Sequence, residues 1–352
     1  MAICHSLEAL LGSALIFRTI RSLTLLLCSC GFAWGAPGDI PPGCVNYPAN
    51  FQVDAGIDLF VTGEYLYWRV SEDGLCLVQT GARHSPAGFD GRIQRIDPGW
   101  QSGMRLGTGL NFPKEGYDTA LYWTQVSAVE HESAHSHRGT LIPLWAEPDL
   151  PKFAGAGSAR GKWDLDLNLL DWEWGRSSWF GGNLSLRPFF GLRAAWIDQA
   201  LKNQFTFKTH PVSRSHLHAK SDFRGGGLRA GLGSRFTLPH GFALYGLASG
   251  ALLYGQCDAS LRVREGKGLI AHTRDTFWRG IPSLQMGLGI GWDTHFAKDH
   301  LHIEFHVGWE QNLWFGLNQM NHYLHTLNSG FYFKENGNLS TQGLVAGGRF
   351  DF

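Results

Sequence analysis

Apolar and polar residues alternate along most of this chain with a period of two, which predicts β-strands rather than helices. In residues 301–310, every odd position from Leu301 to Trp309 is apolar, and every even position from His302 to Glu310 is polar or glycine. Because successive side chains of a strand point to opposite faces, this strand has one apolar face and one polar face.

Five more runs have this design, each about as long as the roughly 9–11 residues that a tilted strand needs to cross a membrane. Strands of soluble proteins are usually shorter, about five or six residues, although a soluble antiparallel sheet would alternate in the same way. In the run that begins at Trp163, we expect the apolar face to contact lipid and Asp164 and Asp166 to face inward. The five runs are residues 100–110, 163–171, 184–196, 228–236 and 284–292.

Short, turn-rich connections alternate with longer irregular segments. The short ones are residues 111–116, 175–182, 239–241 and 297–300, and the longer ones are residues 71–98, 130–161, 202–221, 258–277 and 311–338. Short periplasmic turns and long external loops are typical of outer-membrane barrels. We therefore predict an all-β, antiparallel up-and-down barrel with an even number of strands, from about 10 to about 16, of which about ten are clear from the pattern.

Closure of such a barrel requires the two terminal strands to meet, because no strand edge can stay unpaired in lipid. We therefore expect residues 344–352 to pair antiparallel with residues 59–68.

Composition agrees with a membrane barrel. The chain has 46 glycines among 352 residues, 13% aromatic residues and only 17% charged residues, against about 25% charged residues in a soluble domain. Many aromatic residues suit a sheet that faces lipid between two aromatic girdles. The formal net charge is zero, so the chain lacks the basic excess of a nucleic-acid-binding protein.

The N-terminus has the features of a secretory signal peptide. Arg18 and Arg21 precede an apolar stretch, and small residues precede a cleavage site before Ala36. A lipoprotein cleavage at Cys30 is the alternative. The chain is thereby divided into a signal peptide (1–35), a periplasmic lead-in rich in Pro and Gly (36–57) and one barrel domain (58–352), which predicts location in the bacterial outer membrane.

Cleavage would leave three cysteines, Cys44, Cys76 and Cys257. An odd number cannot form a complete disulfide framework. One bridge between Cys44 and Cys76 and a set of free thiols are therefore the two alternatives.

Several blocks of the sequence resemble the Legionella-type pore-forming outer-membrane proteins, a family related to the major outer membrane porins of chlamydiae. The blocks are residues 59–68 (LFVTGEYLYW), 98–107 (PGWQSGMRLG), 163–175, 184–194 (LSLRPFFGLRA), 225–233 and 339–352. The resemblance implies a barrel with pore activity, whose last strand, ending at Phe352, is recognised by the barrel assembly machinery. Chlamydial porins are cysteine-rich and cross-linked, and the few cysteines here depart from that pattern.

If the barrel is a channel, charged side chains that face the lumen set its ion preference. Arg187 and Arg193 on one strand and Arg229 and Arg235 on the next would form a basic ladder, with acidic residues on the strand before. The alternative is that these charges pair across the lumen and stiffen a small barrel that is filled by side chains. The lumen candidates are Arg105, Asp118, Asp164, Asp166, Arg187, Arg193, Arg229, Arg235, His302, Glu304 and His306.

Two groups of histidines are candidate sites: the first could bind zinc or copper, and the second could form a metal or proton-sensitive site. One group lies in a predicted external loop, where the alternative is a solvated polar loop. The other shares the polar face of residues 301–310, where the alternative is lumen lining. The groups are His131, Glu132, His135 and His137, and His302, Glu304 and His306.

Together these patterns predict an outer-membrane pore for small hydrophilic solutes or ions, surrounded by lipid and without a cofactor. A surface structural or adhesion barrel that acts through its long loops is the alternative, and homo-oligomer formation stays open. An enzyme is less favoured, because the sequence contains no Gly-x-Ser-x-Gly turn or other nucleophile motif.

Overall fold

The computed structural model describes residues 47–51, 53, 57–85, 88–112, 114–136, 141–145, 156–207, 213–266, 268–296, 300–323 and 332–352. The predicted signal peptide and most of the predicted lead-in lie outside these residues. Within the part of the chain that is described, no helix is long and apolar enough to cross a membrane.

Ten long antiparallel strands form a closed ring, in which each strand pairs with the next along the chain and the last pairs with the first. The predicted up-and-down barrel is thereby confirmed. The strands are β1 (Asp58–Glu72), β2 (Trp100–Phe112), β3 (Tyr117–His135), β4 (Ala156–Arg176), β5 (Leu184–Phe207), β6 (Ser213–Thr237), β7 (Phe242–Glu265), β8 (Gly268–Phe296), β9 (Leu301–Asn318) and β10 (Gly337–Asp351).

Short elements occupy the connections. We assign the end of the barrel with the short turns to the periplasm, as in other outer-membrane barrels. A hairpin, a two-residue strand that pairs with it and a second, smaller hairpin lie at the opposite, extracellular end. A strand beside β5 and a single turn of 3-10 helix lie at the periplasmic end. In that order, the elements are Cys76–Ser85 with Gly88–Arg95, Ile142–Pro143, Asn321–Tyr323 with Tyr332–Lys334, Ser178–Trp179 and Pro239–Gly241.

The first strand, β1, pairs with the last strand, β10, and this pairing closes the barrel. Leu344 of β10 lies opposite Tyr67 of β1, and Leu59 and Phe352 exchange two backbone hydrogen bonds of 2.9 and 3.0 Å. The predicted antiparallel pairing of residues 344–352 with residues 59–68 is confirmed, and no barrel edge is left open to lipid.

The strands differ greatly in length. β1 and β2 have 15 and 13 residues, whereas β5 to β8 have 24, 25, 24 and 29. Since about 9–11 residues cross a membrane, the long strands continue well beyond it on the extracellular side. Two segments that we expected to be irregular, residues 202–221 and 258–277, are therefore mostly strand, and their polar outer faces made them resemble loops.

The outer surface carries an apolar band with aromatic residues at both edges. On the extracellular side, the ring of Trp100 stacks on Tyr67 at 5.1 Å and contacts Trp309 at 6.0 Å. On the periplasmic side, Trp292 stacks on Phe305 at 6.4 Å. Amphipathic rings favour the headgroup regions of a bilayer, so these contacts mark the two interfaces.

The apolar residues of β4 change from the inner face to the outer face partway along the strand. Leu165 and Leu167 point inward and are at most 3% exposed, whereas Asp164 and Asp166 lie on the outer face. Further along, Trp172 is exposed on the outer face. Our prediction for Asp164 and Asp166 is wrong because the first half of β4 stands in water above the membrane, where apolar side chains turn inward and charges turn outward.

Glycines that face the lumen make room for large side chains of neighbouring strands. A Cβ atom at Gly107 would lie 2.4 Å from the ring of Tyr122, and one at Gly308 would lie 2.3 Å from Tyr245 Oη. Positions that lack a side chain are thus occupied by neighbours, as expected for a narrow barrel with a filled interior.

Candidate functional site: the barrel lumen

Ion pairs fill the lumen at the level of the membrane. Arg193 of β5 donates two hydrogen bonds to Asp171 of β4, at 2.6 and 2.7 Å. Arg229 of β6 lies 3.4 Å from the same carboxylate and also pairs with Glu173. Both arginines are only 4% exposed, so carboxylates rather than water must compensate their charges.

Gln285 of β8 extends this network across the lumen. Its Oε1 accepts a hydrogen bond from Arg229 at 2.6 Å, and its Nε2 donates to Glu310 of β9 at 2.9 Å. Glu310 also accepts two bonds from Arg105 of β2, at 2.8 and 3.0 Å, and Arg105 donates to Glu64 of β1 at 2.7 Å. One network therefore connects opposite walls of the barrel.

Arg187 of β5 is paired closer to the periplasm. It donates to Asp118 of β3 at 2.5 Å and to Glu173 of β4 at 2.9 Å. Because Glu173 also pairs with Arg229, Arg187 is joined to the mid-membrane network.

A further charged layer lies at the periplasmic mouth. Arg235 of β6 pairs with Asp293 of β8 and with Glu304 of β9, the latter at 2.7 Å. Arg349 of β10 donates to Asp351 at 2.6 Å. From the centre of the membrane to the periplasmic mouth, each of these arginines thus pairs with at least one carboxylate.

A polar cavity of about 300 Å³ lies in the periplasmic half of the lumen. Its walls include Glu64, Tyr122, Glu304 and His306, and His306 Nε2 lies 3.3 Å from Glu64 Oε1. The cavity is large enough for several water molecules, so it could hold water or a small polar molecule.

Residues 47–51 cross the periplasmic mouth. The backbone N–H of Ala49 donates to Ser177 O at 3.1 Å, and Asn50 Nδ2 donates to Tyr117 O at 2.8 Å. The ring of Phe51 stacks on His302 at 4.0 Å. This segment lines the cavity and covers part of its opening.

The extracellular half of the lumen is filled by a buried apolar core, which we call the seal. Side chains of the long strands form its wall, and side chains of the extracellular loops pack into it. Its residues are Val70, Leu75, Ile96, Ala128, Trp145, Trp163, Leu165, Leu167, Leu169, Ala195, Ile197, Leu201, Leu217, Ala219, Phe223, Leu253, Cys257, Leu261, Val263, Ile281, Trp314, Leu317, Met320 and Leu339.

Polar contacts hold the extracellular loops against the wall of the seal. The backbone N–H of Gln319 donates to Ser221 Oγ of β6 at 3.2 Å, and Lys334 lies 2.6 Å from Asp275 of β8. The loops that follow the short strands therefore contact the inner face of the long strands opposite and close the extracellular end of the barrel.

The structure places all but two of the predicted lumen residues inside the barrel. Asp164 and Asp166 face outward, as described above. The predicted basic ladder is present on β5 and β6, but its arginines contact carboxylates at hydrogen-bond distance, which is the arrangement of the alternative prediction. The residues inside are Arg105, Asp118, Arg187, Arg193, Arg229, Arg235, His302, Glu304 and His306.

Sequence reasoning missed most of the carboxylates in these pairs. In β4, the outer positions change from Asp164 and Asp166 to Trp172, while the inner positions change from leucine to Asp171 and Glu173. This exchange within one strand marks the point where β4 enters the membrane, and it is visible in the sequence. The other missed partners are Glu64, Asp293, Glu310, Arg349 and Asp351.

The predicted histidine groups do not form as single sites. His131 and His135 lie on the outer face of β3, whereas Glu132 lies on the other face and accepts a hydrogen bond from Gln94 at 2.6 Å. His137 lies outside the described residues. His302 and His306 contact different carboxylates, Asp351 and Glu64.

The described cysteines, Cys76 and Cys257, are free thiols. Cys44, which we considered as a partner for Cys76, lies outside the described residues.

Comparison with known proteins gives one family match. A family model described as Legionella pneumophila major outer membrane protein precursor matches residues 57–352. A comparison with curated proteins finds no match.

Solved structures that align with the chain include three outer-membrane proteins. The outer membrane protease OmpT from Escherichia coli is 12% identical, covering 86% of this chain and 98% of that chain, with a TM-score of 0.39. The attachment invasion locus protein Ail of Yersinia pestis is 10% identical (84% and 99% covered, TM-score 0.26). The toluene transporter TodX of P. putida is 11% identical (85% and 90% covered, TM-score 0.31).

Proposed function

This chain belongs to the Legionella major outer membrane protein family and resides in the bacterial outer membrane, and from that premise we propose that it is a closed barrel that holds a folded platform at the cell surface. The platform comprises the extracellular parts of β4 to β8 together with the loops that pack into the seal. Its role is structural or adhesive, through contacts of its outer face and loops with molecules outside the cell.

The filled lumen is the observation that carries this proposal. Side chains fill the interior of small barrels, and here the centre is occupied by hydrogen-bonded ion pairs and the extracellular half by the seal. An ion that entered the seal would lose its water without gaining polar partners, which costs several kcal/mol or more. We therefore expect the folded barrel not to conduct.

The outer face of the platform supports a role in water rather than in lipid. Lys162 and Lys202 lie 2.6 and 3.5 Å from Asp164, and Thr276 donates to Asp258 at 2.6 Å. These contacts between polar side chains, on a continuous sheet, make the surface rigid and compatible with water. Such a surface can present loops in fixed positions for recognition.

A pore for small hydrophilic solutes or ions is the second candidate. The polar cavity of about 300 Å³ in the periplasmic half favours it, because only the seal and the ion-paired layer separate that cavity from the outside. Conduction would require the loops that carry Leu75, Ile96 and Met320 to leave the seal.

Conductance in a planar bilayer distinguishes the two functions. The protein should first be shown to be folded by the change of its electrophoretic mobility on heating. We expect no stepwise conductance from the folded wild-type chain under conditions in which a known porin conducts. Stepwise currents from the folded protein would contradict the closed barrel and support the pore.

If such currents appear, a second measurement locates the pathway. Trp163→Ala removes a large, fully buried side chain from the seal, so a pathway through the seal should then carry a larger current.

A further inference from the structure

Two histidines and an aspartate meet at the periplasmic rim of the barrel. His295 of β8 lies directly opposite His302 of β9 in the strand pairing, and Asp293 precedes His295 by two residues, on the same face of β8. One ligand atom from each of the three side chains lies within 4.8 Å of the other two. The two imidazole rings are 4.6 Å apart.

The ring of His302 is held in the orientation of a metal ligand. Its Nδ1 lies 2.8 Å from Asp351 Oδ2, and both side chains are fully buried. A carboxylate that accepts a hydrogen bond from Nδ1–H fixes the tautomer and leaves the Nε2 lone pair available, which is the usual arrangement around a metal-bound histidine.

The other ring nitrogen of His302 lacks a hydrogen bond. Among the described residues Nε2 has no hydrogen-bond partner although it is buried, and it faces Asp293 Oδ2 at 3.6 Å. A buried polar atom without a protein partner has room for a water molecule or an ion as its partner. A cation between Nε2 and the Asp293 carboxylate would satisfy both.

The charges around the cluster favour a cation. Three carboxylates, those of Asp293, Glu304 and Asp351, face two guanidinium groups, those of Arg235 and Arg349. These five groups together carry one net negative charge when the histidines are neutral. Arg235 contacts Asp293 through Oδ1, so Oδ2 is the oxygen that can bind the cation.

We propose that His295, His302 and Asp293 bind one Zn²⁺ ion, with Asp351 as the residue that positions His302. Imidazole nitrogen and carboxylate oxygen are ligands that zinc prefers, and three protein ligands leave a fourth position for water or a small molecule. His295 is exposed, so the site is open to the periplasm. The metal would join β8 to β9 beside the closure of β10 on β1.

Metal titration of tag-free, EDTA-treated, folded protein tests this site. We expect calorimetry to detect one Zn²⁺ ion that binds the wild-type chain but not His295→Ala, and Co²⁺ to give the visible absorption of a four-coordinate site. His295 is the residue to replace, because it is exposed and its loss should leave the barrel folded, whereas the loss of the buried His302 could prevent folding.

His272→Ala is the matched control, because His272 is an exposed histidine of the same strand at its extracellular end. It should bind zinc as tightly as the wild-type chain. Equal binding by the wild-type chain and His295→Ala would overturn the proposal and assign the zinc to other histidines. Absence of zinc binding by the folded wild-type chain would also overturn it, and would indicate a protonated His302 shared between Asp293 and Asp351.

Discussion

At the scale of single residues, burial dictates the chemistry of the lumen. Arg193 and Arg229 are almost inaccessible to solvent, and both contact Asp171. Removing one partner of a buried pair leaves an uncompensated charge, which is more costly than replacing the whole pair by apolar residues. The stability of the barrel should therefore depend on individual lumen arginines far more than on arginines of the outer face.

Replacement of Arg229 by methionine tests this dependence. We expect Arg229→Met to lower the free energy of unfolding by about 3 kcal/mol, which is at the low end for a buried pair. The loss is limited because Asp171 still pairs with Arg193, and Glu173 still pairs with Arg187. Urea titration in lipid vesicles measures the change.

Arg224→Met on the same strand is the control for that experiment, because Arg224 is exposed on the outer face. It should change stability by no more than about 0.5 kcal/mol. An equal loss in both variants would contradict the role of the buried pairs.

Glu72 provides a test of pH dependence outside the membrane. It lies beyond Tyr67 at the extracellular end of β1, where burial and the neighbouring Asp73 raise the pKa of its carboxyl group well above the ordinary value of 4.5. Its Oε2 accepts a hydrogen bond from Gln199 at 3.2 Å, but its Oε1 has no partner among the described residues. The folded state therefore favours the protonated form.

Glu72→Gln should stabilise the protein at neutral pH by about 1–3 kcal/mol, the cost of an unsatisfied buried group. A raised pKa means that the folded state binds the proton more tightly, so the wild-type chain loses stability as the pH rises above about 4.5, and the variant does not. Unfolding titrations at pH 4 and pH 8 should show a difference between the two proteins only at the higher pH. Glu115→Gln in an exposed turn should show none.

At the scale of elements, β4 shows that one strand can have two environments. Its first half buries Trp163, Leu165 and Leu167 in the seal, and its second half points Trp172 to lipid and Asp171 to the lumen. The side-chain period is unchanged along the strand, and only the surroundings differ. The outer face is wet above the membrane and apolar within it.

Cysteine labelling on intact cells tests which side chains in the first half of β4 point outward. In a background without other cysteines, a membrane-impermeant maleimide should label Asp166→Cys but not its neighbour Leu167→Cys, because only the first side chain points to the external solvent. Labelling of both variants after unfolding is the control for expression. Faster labelling of Leu167→Cys in folded protein would contradict this assignment of the inner and outer faces.

At the scale of the whole molecule, unequal strand lengths explain how the barrel is closed. The short strands β1, β2, β9 and β10 lead into the long loops, and the tall wall of β4 to β8 receives them. The apolar inner face of that wall would otherwise be exposed to water, so burial of the loops is favoured by the hydrophobic effect. The absence of stepwise conductance that we expect in the planar bilayer follows from this arrangement.

Local physics let the sequence by itself determine the alternating strands, the barrel that closes at Phe352, and most of the inward-facing arginines. These features depend on the side-chain period of a strand and on the absence of open edges in lipid. Only the tertiary structure decided which face of residues 163–169 is inside, because facing depends on where the strand leaves the membrane. Partners such as Arg105 with Glu310, or His295 with His302, were likewise decided by the closed ring and its strand register, which bring distant positions together.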